Sequence, residues 1–156
     1  MAKTPALGSP APDVDLPGWV DGASRQFRLS EQRGSAVVLA FYPGDETPVC
    51  TKQMCAYSDD LGSLHGLGAV VWGISPQDLA SHERFATKRS LSLPLLADTD
   101  KTAITAYGVG GRLGVKRSVF VVDGGGVLRW SHVSTVGLTY KGVDELTAVL
   151  KDLAMS

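Results

Sequence analysis

Cysteine is the scarcest chemically reactive residue in this chain: only Cys50 and Cys55 occur among 156 residues. That count excludes a disulfide-stapled scaffold, and the five-residue separation is not the Cys-x-x-Cys spacing of a dithiol redox motif. Histidine is almost as rare. His65, His82 and His132 are scattered and show no His-x-x-x-His pairing, so a zinc ion at the cysteine pair would lack two ligands. Excess charge is missing as well: 15 Lys and Arg stand against 16 Asp and Glu, a net charge of −1. No basic run or aromatic-basic stripe is present, so the chain offers no field for nucleic acid or anionic lipid. Long apolar runs are lacking, and those present are strand-length, far short of a membrane span. The opening 20 residues hold four prolines and no continuous apolar stretch, which does not read as a secretory signal. These absences lead us to expect one cytoplasmic domain over residues 1–156, with a full hydrophobic core and no nucleic-acid or membrane partner. In a reducing compartment, two cysteines are more often catalytic or metal-binding than structural.

What is present alternates between strand and helix signals. Ala36 to Tyr42 (AVVLAFY) and Ala69 to Ile74 (AVVWGI) are continuous apolar runs rich in β-formers, as expected of strands buried on both faces. Ser118 to Val122 is similar and is followed by Asp123-Gly124-Gly125-Gly126 and VLRWSHV, a hairpin pattern. Ser24 to Leu29 predicts a short edge strand, and residues 1–18 an extended, Pro-rich surface wrap. Helices are expected over Pro48 to His65, Pro76 to Arg89 (Leu79, Phe85 and Ala86 sharing a face), Thr99 to Tyr107 and Gly142 to Ala154. Asp98 and Asp100 read as caps of the third of these. The order implies an α/β fold: a central mixed sheet with helices on both faces.

The chemistry concentrates after the first buried strand. Pro43 and Gly44 break that strand, Thr47 is placed to act as N-cap, and Pro48 suits the first helical position because it has no N–H to leave unpaired. Cys50 then falls in the first helical turn. Unpaired backbone N–H groups and the positive end of the helix dipole favour a thiolate there. An isolated cysteine is otherwise often a small buried hydrophobe. If the helix runs unbroken, Cys50 and Cys55 have Cα atoms about 8.7 Å apart. A disulfide requires no more than about 7 Å. Either the spacing is accidental or the helix unwinds during function. The GVGGRLG segment from Gly108 to Gly114 does not match a phosphate-binding glycine motif and reads as a flexible loop. Lys116 and Arg117, taken as a bare pair, read as a solvated strand start.

FYPGDETPVC resembles the peroxiredoxin signature Pro-x-x-x-Thr-x-x-Cys, at Pro43, Thr47 and Cys50. GISPQDLASHERFATKRSLSLPLLAD and RSVFVVDGGGVL resemble the corresponding segments of the peroxiredoxin Q, or bacterioferritin comigratory protein, subfamily. CTKQMC reproduces the second-cysteine spacing of many members. Val49 stands where many members carry glycine, and the loop between Gly108 and Arg117 is shorter than usual. The resemblance covers roughly Pro10 to Leu153 and implies a thioredoxin-like fold and a thiol peroxidase. It implies that Cys50 is the peroxidatic cysteine, that Thr47 and Pro43 support it, that Arg117 is the cation beside its thiolate, and that Cys55 resolves it. It further implies a peroxide substrate, a thioredoxin or glutaredoxin-like reductant, no metal or organic cofactor, and a monomer or weak homodimer. The rival readings are a disulfide oxidoreductase on the same fold and an inert, non-enzymatic module.

Overall fold

A computed structural model describes residues 4–45, 47–111, 114–134 and 143–154. Its sheet is built around the apolar run AVVLAFY. Strand β3 (Ala36–Phe41), preceded in the chain by β1 (Asp15–Val20) and β2 (Ala23–Arg28), sends alternate residues to opposite faces. Val38, Ala40 and Tyr42 join one buried cluster, while Val37, Leu39 and Phe41 join the other. Burial on both faces is why the run lacks the polar alternation of a half-exposed strand. Each fully buried Leu or Phe contributes about 1.5–3 kcal/mol of apolar transfer energy.

Helix α1 (Pro48–Asp59) follows β3, and α2 (Leu61–Gly66) leads into β4 (Ala69–Ser75). Helix α3 (Leu79–Arg89), β5 (Leu95–Ala97) and α4 (Thr102–Ala106) come next. The short β6 (Gly110–Gly111) and β7 (Gly114–Val115) precede β8 (Ser118–Val122), β9 (Leu128–Val133) and α5 (Val143–Ala154). The seven-stranded sheet has the order β2-β1-β5-β4-β3-β8-β9. Strand β3 pairs in parallel with β4 and antiparallel with β8, so the sheet is mixed as expected. Residues of α1, α2, α3 and α5 (Met54, Leu64, Phe85, Leu146) pack in the first cluster, and those of α4 with the N-terminal segment (Ile104, Val14) in the second. Among the described residues, no helix is long and apolar enough to cross a membrane.

Several expectations need correction. The helix expected over Pro48 to His65 is two helices, broken at Asp60, which ends one and opens the next. The break lets Leu61 and Leu64 reach the first cluster. The N-terminal wrap contains a true strand, Asp15–Val20, paired along its length with β2. Pro17 and Gly18 hid it, because Pro cannot donate to a ladder and Gly weakens a strand interior. At Pro17 the second ladder has not begun: β5 pairs only with Gly18 and Trp19. Gly18 is required by packing, since a Cβ there would stand 2.7 Å from the Phe27 ring. The helix expected from Thr99 starts later, at Thr102. The Asp98 carboxylate accepts from the Thr102 and Ile104 amides at 2.9 and 2.8 Å, and the expected cap at Asp100 has no such bond. The glycine segment read as a flexible loop pairs Gly110 with Val115 and Gly111 with Gly114 in a small hairpin. Gly142 lies outside the described residues, and the last helix is described from Val143.

Candidate active site

The C-terminal end of β3 and the N-terminal end of β8 meet because the two strands are antiparallel, with Phe41 opposite Ser118. The chain leaves β3 through the turn that carries Pro43, Gly44, Asp45 and Thr47, then enters α1. It enters β8 from Arg117. Strand register thus brings the helix start and the arginine together although they are 67 residues apart.

Cys50 is wholly buried, and Arg117 is 3% exposed. Arg117 Nη2 donates to Cys50 Sγ at 3.1 Å, and Nη1 donates to Gln53 Oε1 at 2.7 Å. Reading Arg117 as part of a solvated pair is therefore wrong: Lys116 is exposed, while its neighbour points inward. The Arg117 backbone carbonyl also accepts from Ser134 N at 2.8 Å, tying the arginine to the end of β9. Gln53 is fully buried, and its Nε2 donates to the Tyr57 hydroxyl at 3.3 Å. It lies one helical turn after Cys50 on the same side of α1, the side that faces the arginine.

Thr47 occupies the N-cap position in extended conformation, and Pro48 opens the helix, as expected. Its side chain does not cap. The hydroxyl donates backward to the Gly44 carbonyl at 3.2 Å. Pro43 is exposed at the rim of the turn. Both cysteines are free, and α1 runs unbroken through both, so they are not brought together. Cys55 is half-buried and packs against the first cluster.

Three residues around the site, Asp45, His82 and Gln53, escaped the sequence reading. The Asp45 carboxylate accepts from the Tyr42 hydroxyl (2.7 Å) and the Ser81 hydroxyl (2.7 Å), and it meets His82 Nδ1 at 2.7 Å. Burial, with the charge of Asp45 and the bond to it, holds the Tyr42 phenol well above its ordinary range, against a smaller opposing effect of Ser75, so it stays a neutral donor. His82 is fully buried; its spacing from Phe85 and Ala86 on the buried face of α3 was the available signal. Gln53 was likewise detectable as the residue one turn beyond Cys50. Nothing in the sequence links Asp45 to His82. A cavity of about 400 Å³ lined by Arg25, His65 and Trp72, among others, contains none of these residues.

The AhpC/TSA family matches residues 7–131. Peroxiredoxin Q of the rice chloroplast is 40% identical over 128 residues, covering 80% of this chain and 58% of that protein. Cattle peroxiredoxin-2 is 39% identical over 148 residues, covering 89% of this chain and 74% of that protein. Among solved structures, a reduced 2-Cys peroxiredoxin of Plasmodium vivax superposes with a TM-score of 0.89, covering 96% of each chain at 21% identity. AhpC of Mycobacterium tuberculosis superposes at 0.88, covering 97% of this chain and 94% of that one at 23% identity. At those identities the likeness shows the fold, which is thioredoxin-like.

Proposed function

The chain belongs to the AhpC/TSA family, the peroxiredoxins, and from that premise we propose that it is a thiol-dependent peroxidase with Cys50 as nucleophile. The observation that carries this reading is Arg117 Nη2 at 3.1 Å from the Sγ of a buried cysteine in the first turn of α1. A buried guanidinium is costly unless a counter-charge or acceptor meets it, and a thiolate supplies both.

The Cys50 thiolate attacks the terminal oxygen of a hydroperoxide. The S–O bond forms as the O–O bond breaks, and the departing alkoxide or hydroxide takes up a proton. Charge moves from sulfur to the leaving oxygen, so donors beyond the sulfur stabilise the transition state more than the ground state. Arg117 and the Cys50 backbone N–H are those donors. Thr47 Oγ1, its proton given to Gly44, accepts the peroxide's O–H and orients it. Pro43 shields the rim. The product is a sulfenic acid. Cys55 condenses with it, losing water and forming a disulfide, after α1 opens. A thioredoxin or glutaredoxin-like dithiol then reduces that disulfide by exchange. The cycle draws on no metal or organic cofactor and closes within one chain, in keeping with a monomer or weak homodimer in the cytoplasm.

Peroxide consumption by Cys50→Ser, with a dithiol donor, tests the assignment: serine is not ionised at neutral pH, so turnover falls below a few per cent of wild type. Residual turnover above that level, or faster reduction of insulin disulfides than of peroxide by the unaltered protein, overturns it.

A further inference from the structure

The turn that carries Gly44 and Thr47 is gripped from outside, and the grip centres on Asp45. The Asp45 backbone N–H donates to Gln77 Oε1, just before α3. Its carboxylate is 3% exposed and receives Ser81 and His82 from the first turn of α3, and Tyr42 from the end of β3. His82 is fixed on its other side as well, with Nε2 at 3.0 Å from the Leu96 carbonyl of β5. Both ring nitrogens thus face oxygen acceptors. The ring is thereby held at both ends, between the turn and the sheet. A buried pair of this kind is strong only while intact, because losing either partner strands the other. By contrast, the Thr47–Gly44 bond lies inside the turn and anchors it to nothing else.

We propose that Asp45 and His82 are positioning residues that latch the turn before Cys50 onto α3. The closed latch holds the turn in the geometry that reacts with peroxide, and its release permits the start of α1 to unwind so that Cys50 reaches Cys55. The proposal rests on the roles given to Cys50 and Cys55 above. It has a consequence that a purely structural role lacks: weakening the latch moves two steps in opposite directions. Attack on peroxide slows, because the closed turn is less populated. Disulfide formation quickens, because the open turn is reached more often.

The test uses Asp45→Asn, which keeps the side-chain volume but replaces one acceptor oxygen with a donor, and Ser81→Ala, which removes one donor and leaves the Asp45–His82 pair intact. Reduced protein is mixed rapidly with hydrogen peroxide, and loss of the thiol and appearance of the Cys50–Cys55 disulfide are followed by acid quench and mass spectrometry. Asp45→Asn is expected to lower the peroxide rate constant about tenfold and raise the disulfide rate severalfold. Ser81→Ala is expected to shift both in the same senses by about two- to threefold, and it decides the matter if Asp45→Asn does not fold. An unchanged or slower disulfide step in the variants overturns the latch. If the unaltered protein forms no such disulfide, the role of Cys55 fails instead. The latch is then judged by amide exchange of residues 47–52 in reduced Ser81→Ala, where faster exchange supports it and unchanged exchange overturns it.

Discussion

Helices α1 and α3 follow neighbouring parallel strands of the same sheet, yet they are held in opposite ways. Helix α3 is stabilised by its own sequence. Asp78 caps it by accepting from Ser81 N at 2.9 Å, Lys88 and Arg89 lie in its last turn, and Ser90 closes it in left-handed conformation with its N–H directed to Ala86 and Thr87. Helix α1 has neither an acidic first turn nor a basic last turn, and its N-cap side chain points away from the helix. It is held by burial of Cys50, Met54 and Tyr57 and by contacts reaching it from Arg117. A helix with local caps resists opening by itself, whereas one held from outside opens when those contacts are released. The reactive cysteine sits on the second kind.

The comparison breaks most severely at Arg117. Arg117→Met removes a charge-assisted donor to the reacting sulfur, which typically costs 2–4 kcal/mol of transition-state stabilisation, roughly a 30- to 1,000-fold fall in the rate constant with peroxide. Stopped-flow measurement checks it, and an unchanged constant would mean that Arg117 does not act on the reacting sulfur. The contrast in opening is sharpened by oxidation. Amides from Val49 to Ala56 should exchange faster in the disulfide form than in the reduced protein, while those of α3 stay unchanged. In Cys55→Ser the sulfenic acid should persist, and turnover should depend on an added small thiol.

Caps give a smaller effect. Asp78→Ala should cost about 1 kcal/mol of stability in chemical denaturation, the usual loss for an N-cap. Thr47→Ala, which breaks no bond to a helix amide, should change stability by less than about 0.5 kcal/mol while lowering the peroxide rate. The smallest expected effect lies at the Asp123 turn, which borrows the cap chemistry that α1 lacks. Partial burial pushes the Asp123 carboxyl up. The Val127 amide, Arg129 and the Gly125 amide outweigh it, leaving the group below its ordinary value of 3.8. A lowered value means the bound carboxylate stabilises the fold above that pH and loses its contribution as the pH falls. Asp123→Asn should therefore lower the unfolding midpoint at pH 7 and have almost no effect near pH 2.

Much of the architecture was legible in the chain because the responsible forces act locally. Apolar runs rich in β-formers, such as AVVLAFY and AVVWGI, carry the pattern of strands buried on both faces, the Pro48 position sets a helix start, and Cys50 follows two residues later in the first turn. The Pro-x-x-x-Thr-x-x-Cys pattern needed no structure to be noticed. Tertiary structure alone decided what surrounds it. Whether Arg117 is solvated or buried depends on the antiparallel register of β3 and β8, and nothing within a few residues of Arg117 encodes that register. The meeting of Asp45 and His82 spans 37 residues and requires β4 to lie between β3 and β5, with α3 packed against β5 and β1. The strand through Pro17 and Gly18 exists because β2 supplies a full ladder and Phe27 fills the space a side chain would need. Periodicity and capping act over one or two turns, but a catalytic group is assembled by strand order, which only the packed sheet determines.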